Sequence, residues 1–158
     1  MSVAYSLVTG TAFAATAGAK TLLMAIAPAG HGLALVEFAV STDGVTSSAV
    51  PAVLEVVQST QAGAGTSGVS PTITQTRGRA SSGSAPTGGS NYTAEPTALT
   101  VVRRYFVSQF MGTFVIQLPL GRELETDSSA GTVKAIGLRV NVSANVNVIG
   151  SMEVEAAG

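Results

Sequence analysis

The chain has 158 residues, of which 46% are hydrophobic and 11% charged, and its formal net charge is -1. This length suits a single domain with a substantial core. So little charge leaves no basic surface to neutralise a run of phosphates, and nucleic acid is not expected as a partner. Cysteine is absent, which excludes disulfides, a thiolate nucleophile and a cysteine-ligated zinc site.

The first apolar segment, LVTGTAFAATAGAKTLLMAIA at residues 7–27, has the length of a signal peptide or a membrane span. No basic residue precedes it, Lys20 interrupts it, and its first half is mostly Ala, Thr and Gly. These residues are far less apolar than the Leu and Ile of a true span. We therefore expect neither a cleaved signal nor a membrane partner.

Apolar runs rich in β-branched residues follow one another at short spacing, separated by turn residues. Residues 33–41, 136–142 and 146–154 alternate most clearly between apolar and polar positions. The other strand-like runs are residues 3–8, 20–28, 50–59, 70–77, 99–108 and 113–120. A hairpin between the runs at 99–108 and 113–120 is the simplest interpretation.

About eight strands and no helical period predict an all-β chain, folded as a single antiparallel β-sandwich or jelly roll over residues 1–158. A closed barrel is the alternative. The stretch RASSGSAPTGGSNYTAEP, residues 79–96, has no hydrophobic period and lies between strands. It predicts a long Gly/Ser/Thr-rich loop, or an extended arm that contacts a neighbour.

The residues that could take part in catalysis or ligand binding are scattered along the sequence. His31 stands alone between glycines, residues 63–68 match GxGxxG without the helix that a dinucleotide site needs, and Glu123, Glu125 and Asp127 fit a solvated acidic loop. Asn91-Tyr92-Thr93 and Asn141-Val142-Ser143 match the glycosylation sequon by chance. No catalytic residue, cofactor or metal ligand is predicted, and an enzyme is not expected.

Two adjacent arginines, Arg103 and Arg104, fall within one predicted strand. Because neighbouring residues of a strand point to opposite faces, one guanidinium must approach the inner side or an interface. The alternative is a strand near a sheet edge, with both guanidinium groups in solvent. Arginine is enriched where protein surfaces meet, so these two residues are candidate interface residues.

Five segments carry a resemblance to a known group of proteins. They are KTLLMAIAPAGHGLALVEFAVSTDG, VLEVVQST, AEPTA, FVIQLPLGRE and IGLRVNVSANVNVIGSMEVEA, which together reach from Lys20 to Glu155. Their turn and strand patterns resemble small virion-associated β-sandwich proteins of tailed bacteriophages, similar to capsid decoration, or cement, proteins. Where members of that group often have Trp, this chain has Phe38.

The resemblance implies a structural virion protein that binds the exterior of a phage head. Its partners would be the major capsid protein and copies of itself, with a trimer as one arrangement, and it would be made in the host cytoplasm. The alternatives are a tail or baseplate component, a carbohydrate-binding module, or a single-jelly-roll major capsid protein. Separately from the resemblance, segments that we expect to add little to the core and to be exposed supply the candidate interface residues, which are Val3, Tyr5, Arg79, Tyr92, Glu95, Arg103 and Arg104.

Overall fold

The computed structural model describes residues 2–44, 50–60, 65–78, 85–110, 112–126 and 134–157. Within these ranges the chain forms strands and no helix. The strands are β1 (Val3–Val8), β2 (Phe13–Ala15), β3 (Gly18–Ile26), β4 (Gly32–Thr42), β5 (Ala52–Ser59), β6 (Thr66–Val69), β7 (Thr72–Arg77), β8 (Thr87–Ala94), β9 (Leu99–Val107), β10 (Gly112–Gln117), β11 (Leu124–Glu125), β12 (Ala135–Val142) and β13 (Val146–Ala157).

The strands form two antiparallel sheets. The seven-stranded sheet has the order β10-β4-β13-β1-β7, with β11 also paired to β4 and β2 to β13. The six-stranded sheet has the order β6-β8-β3-β12-β5-β9. The prediction of an all-β sandwich is confirmed, and the closed barrel is not formed, since the described strands pair into two separate sheets. The number of strands exceeds the eight that were expected.

Eight of these strands follow the path of a jelly roll. The chain alternates between the sheets so that β1, β4, β10 and β13 form one four-stranded unit, and β3, β5, β9 and β12 form the other. Each of the last two strands enters the middle of a sheet: β12 lies between β3 and β5, and β13 lies between β4 and β1. The count of about eight strands thus corresponds to this jelly-roll frame.

The remaining chain between β5 and β9 is an insertion that widens both sheets at the opposite edge. Its strand β7 pairs with β1, while β8 pairs with β3 and β6. The loop or arm predicted for residues 79–96 is therefore wrong for Thr87–Ala94, which is a strand within a sheet. Residues 79–84 lie outside the described part of the chain.

Strand β8 lacks a hydrophobic period because neighbouring groups leave little room for side chains. A Cβ added at Gly88 would lie 2.6 Å from the Met24 carbonyl oxygen. At Gly89 it would lie 2.7 Å from the Tyr92 hydroxyl and 2.8 Å from the Ser67 Cβ. Glycine is required at such a close approach, so a buried strand has the composition of a loop.

The core lies between the facing sheets and contains aliphatic side chains from both. The largest side chains that are almost fully buried are Leu7, Leu22, Leu23, Met24, Leu33, Leu35, Phe38, Val40, Leu54, Ile136, Leu138 and Met152. Every described strand of the first apolar segment belongs to one of the sheets, and no helix in the described ranges is long and apolar enough to cross a membrane.

The predicted hairpin of β9 and β10 is wrong. Strand β9 pairs with β5 and β10 pairs with β4, so the connection between them crosses from one sheet to the other. Tyr105 spans the gap, with its ring centroid 5.9 Å from that of Phe38 and 5.5 Å from that of Phe114. A short loop between two apolar runs is compatible both with a hairpin and with a crossing from one sheet to the other. The packing of the two sheets decides between them, and the sequence pattern does not show it.

Gly137 of β12 offers a test of how tightly the six-stranded sheet is packed. A Cβ at this position would lie 2.1 Å from the Met24 sulfur and 2.4 Å from the Leu23 carbonyl oxygen. Gly137→Ala should therefore lower the free energy of unfolding by about 1–3 kcal/mol, measured by chemical denaturation. Gly112→Ala is the control, because its Cβ would meet no atom closer than 3.6 Å. Equal losses in the two variants would contradict this packing.

Candidate interaction surface

A buried carboxylate joins three strands on the outer face of the six-stranded sheet. Glu55 of β5 is directly opposite Arg104 of β9 on one side and Arg139 of β12 on the other. Arg104 donates from Nε to Glu55 Oε1 at 2.7 Å, and Arg139 donates from Nε to Oε2 at 2.6 Å. Because the adjacent residues Leu54 and Val56 belong to the core, this cluster faces away from it.

The two arginines differ in exposure. The Glu55 side chain is 7% exposed, that of Arg139 21%, and that of Arg104 66%. One carboxylate neutralises only one of the two guanidinium groups, so the cluster carries a net positive charge. That charge is most accessible at Arg104, where a partner could reach it.

Glu95 extends this polar row to a fourth strand. Its carboxylate accepts hydrogen bonds from the Thr21 backbone N–H at 2.9 and 3.0 Å and from the Thr21 hydroxyl at 2.6 Å. Thr21 is directly opposite Arg139 in β3, just beyond the last residue of β3 that pairs with β8. Glu95 thus satisfies an N–H group that no strand in the described part of the chain reaches.

An exposed aromatic side chain lies beside the ionic cluster. Phe106 follows Arg104 by two positions in β9, so both side chains are on the same face, and Phe106 is 77% exposed. It is directly opposite Val53, which is opposite Asn141. A shallow recess at this place is lined by Val53, Glu55, Arg104, Tyr105, Phe106 and Asn141. We call the group of the exposed Arg104 and Phe106 with the half-buried Val53 of β5 the β9 patch.

The Asp43 carboxylate closes one end of the seven-stranded sheet. It accepts hydrogen bonds from the Asn147 side chain at 2.7 Å and from the Asn147 backbone N–H at 2.8 Å. These hydrogen bonds, with that from the side chain the stronger influence, hold the pKa of Asp43 below its ordinary value. The carboxylate therefore holds the end of β4 beside β13.

Several of the predicted interface residues are buried within the chain itself. Val3, Tyr5 and Tyr92 are each 4% exposed. The expectation that these residues are exposed contacts is wrong, because β1 is an interior strand between β13 and β7. The N-terminal segment is thus a core strand rather than an arm.

The remaining predicted residues have different surroundings. Glu95 is bonded to Thr21 as described, and Arg79 lies outside the described residues. Arg103 and Arg104 are both exposed on β9, which is an edge strand among the described residues, as the alternative interpretation of this pair held. Arg103 donates to the Val102 carbonyl oxygen at 2.9 Å, while Arg104 alone reaches the outer cluster.

Sequence reasoning missed Phe106, Glu55 and Arg139 as parts of one surface. Alternation in 136–142 placed Arg139 outward, and the charge of Glu55 was visible inside an apolar run. A signal was therefore present in each strand. What the sequence did not supply is the register that puts β5 between β9 and β12.

Other candidate groups remain separate. The His31 ring is 3.1 Å from the Ala29 carbonyl oxygen, and the described residues contain no group of three or more acidic or histidine side chains suited to a metal ion. The Asn91 side chain is buried and donates to Thr11, so this sequon is not accessible. Glu125 belongs to β11 and is opposite Ala34 of β4, whereas Asp127 lies outside the described residues.

Comparisons with protein-family models, curated proteins and solved structures found no match.

The ionic cluster predicts a specific stability loss. Glu55→Gln keeps the shape of the side chain but leaves two guanidinium groups without a carboxylate, and should lower the free energy of unfolding by about 1–3 kcal/mol in chemical denaturation. Arg139→Met should cost more than Arg104→Met, because Arg139 is the less exposed of the two. Glu125→Gln, at an exposed residue, is the control, with an expected change within about 0.5 kcal/mol. If the loss of stability in Arg139→Met did not exceed that in Arg104→Met, the result would contradict a stabilising role for this ionic cluster.

Tyr92 predicts an alkaline loss of stability. Burial raises the pKa of its phenol above the ordinary value of 10.0, and the Glu95 carboxylate adds to the rise. Because the folded chain holds this proton more tightly than the unfolded chain, the contribution is complete below about pH 10 and is lost as pH rises through the folded pKa. Tyr92→Phe should therefore lose less stability than the wild type as the pH rises above about 10. Tyr105→Phe serves as the control. The free energy of unfolding is measured by chemical denaturation at several pH values, and a Tyr92→Phe variant whose stability falls with pH as steeply as that of the wild type would refute the prediction.

Proposed function

We propose that this chain is a structural virion protein, a capsid decoration protein that binds the outer surface of a phage head and stabilises its lattice. The observation that carries the proposal is the β9 patch. It combines an exposed aromatic ring with an arginine on a rigid sheet edge, and these two residue types are enriched at protein interfaces. The sequence resemblance supplies the kind of partner, namely the major capsid protein.

The architecture supports such a role because the β9 patch needs no ordering before it binds. Arg104 is held by Glu55, and Phe106 is carried by a strand that pairs with β5 along its length. Rigid contact groups lose little conformational entropy on association, which leaves more of the contact energy for affinity. A lattice that repeats the contact many times then adds avidity to each weak site.

Removing the aromatic ring tests the proposal. Phe106→Ser should fold as the wild type does and should bind purified undecorated heads at least about tenfold more weakly, measured by co-sedimentation of protein with heads. Leu120→Ser is the matched control, because Leu120 is also a large exposed apolar side chain, 97% exposed, on the connection between β10 and β11. If the wild-type protein does not bind heads, the proposed function is wrong. If both variants bind heads equally well, the β9 patch is not the surface that binds the head.

A carbohydrate-binding tail module is the second candidate. Phe106 next to Asn141 and Glu55 places an aromatic face beside polar groups, which is an arrangement that sugars can use. The buried Tyr5 and Tyr92 are not available for stacking. A specific hit on a glycan array that is lost in Phe106→Ser would favour this candidate over head binding.

A further inference from the structure

Two carboxylates stand directly opposite each other on the outer face of the seven-stranded sheet. Glu37 of β4 pairs in register with Glu153 of β13, and their neighbours Phe38 and Met152 point into the core. Like charges in this position destabilise a strand pair. Within the described ranges neither carboxylate has an ion pair; Glu153 accepts a hydrogen bond from the Thr76 hydroxyl at 3.3 Å. The strand pair thus carries a negative charge that a cation from outside would relieve.

A row of small and apolar side chains runs beside these carboxylates. Ala39 is directly opposite Ser151 on one side and Val115 on the other, and Ser151 is opposite Val8. Val115 is 54% exposed. We call this row, together with Glu37 and Glu153, the β4 patch. Its acidic and apolar rows are two residues apart along the strands, which is about 6.6 Å.

The β9 patch has the same arrangement with the opposite charge. Arg104 and Phe106 are also two residues apart, again about 6.6 Å along a strand. Placed face to face, the guanidinium of Arg104 would meet Glu37 and Glu153, while the Phe106 ring would cover Ala39 and Val115. Charge and spacing therefore agree between two surfaces of the same chain.

We infer that the β9 patch of one copy docks on the β4 patch of a second copy. This inference rests on the proposed function, and because a head and a second copy would occupy the same β9 patch, it describes the contact between copies that are not bound to a head. The two patches belong to opposite faces of the sandwich, so the contact is head to tail rather than symmetric. Such a contact closes into a ring if the rotation between copies permits and otherwise continues as a stack.

The first test measures self-association of purified protein without heads, by sedimentation velocity over a range of concentrations. The wild type should associate, and added salt should weaken the association because charges steer and hold the contact. Glu37→Lys should weaken it at least about tenfold. Folding should persist in this variant, since the new Lys would be opposite Glu153. Glu125→Lys is the control with the same change of charge on an exposed residue of the same sheet.

A complementation test then identifies the two surfaces. Phe106→Ser damages only the β9 patch and Glu37→Lys only the β4 patch, so each variant should remain monomeric alone. Mixed together they still supply one intact surface each, and should form a dimer that grows no further. A mixture of Phe106→Ser and Arg104→Met, both damaged on the β9 patch, should stay monomeric.

Two results would overturn the inference: a wild type that stays monomeric at its highest soluble concentration, or a Glu37→Lys variant that associates as strongly as Glu125→Lys. Neither result bears on head binding, which is measured separately by co-sedimentation. If the protein is monomeric and binds heads, the contact between copies is wrong and the proposed function is supported. If the protein associates with itself but does not bind heads, the proposed function is wrong and only the contact between copies is supported.

Discussion

Both sheets depend on the last two strands of the chain. Strand β12 fills the place between β3 and β5, and β13 fills the place between β4 and β1, so each sheet has its middle strand from the C-terminal part of the chain. Without them the flanking strands would lack backbone hydrogen bonds along a buried edge. Contacts of this sequence separation are slow to form, because a long loop must close before they contribute. The clear alternation of residues 136–142 and 146–154 reflects this position in the middle of a half-buried sheet.

In both sheets alternate residues of each strand point outward, but the outward side chains of the two sheets differ. On the six-stranded sheet, part of the outer face is covered by the chain itself, where Met24, Val57, Tyr92 and Ala135 form a second apolar cluster. Arg104 and Phe106 are exposed and lie outside that cluster. The inserted segment therefore limits how much of this sheet remains open to a partner.

Much of the fold could be predicted because alternation is a local property. The all-β class and most of the strands follow from it. Strand β8 could not be found in this way, since Gly88 is imposed by the Met24 carbonyl of β3 and Gly89 in part by Ser67 of β6, which come from other strands. The prediction of a hairpin between β9 and β10 was wrong for a related reason. The contacts of Tyr105 with Phe38 and Phe114, which favour a crossing between the sheets, form only when the sheets pack together. Of the surface, the sequence indicated Arg104 but not Phe106, whose exposure depends on β9 being at an edge.

A sheet edge that carries exposed backbone and an aromatic side chain invites unwanted pairing unless its chemistry selects the partner. Arg103 and Arg104 supply that selection, because a second β9 edge would place arginine near arginine, which is unfavourable. The acidic Glu37 and Glu153 pair offers the opposite charge on a surface that has no free strand edge at its centre. Repulsion at one surface and attraction at the other would thus direct copies of this chain toward a head-to-tail contact, and away from extension of the six-stranded sheet.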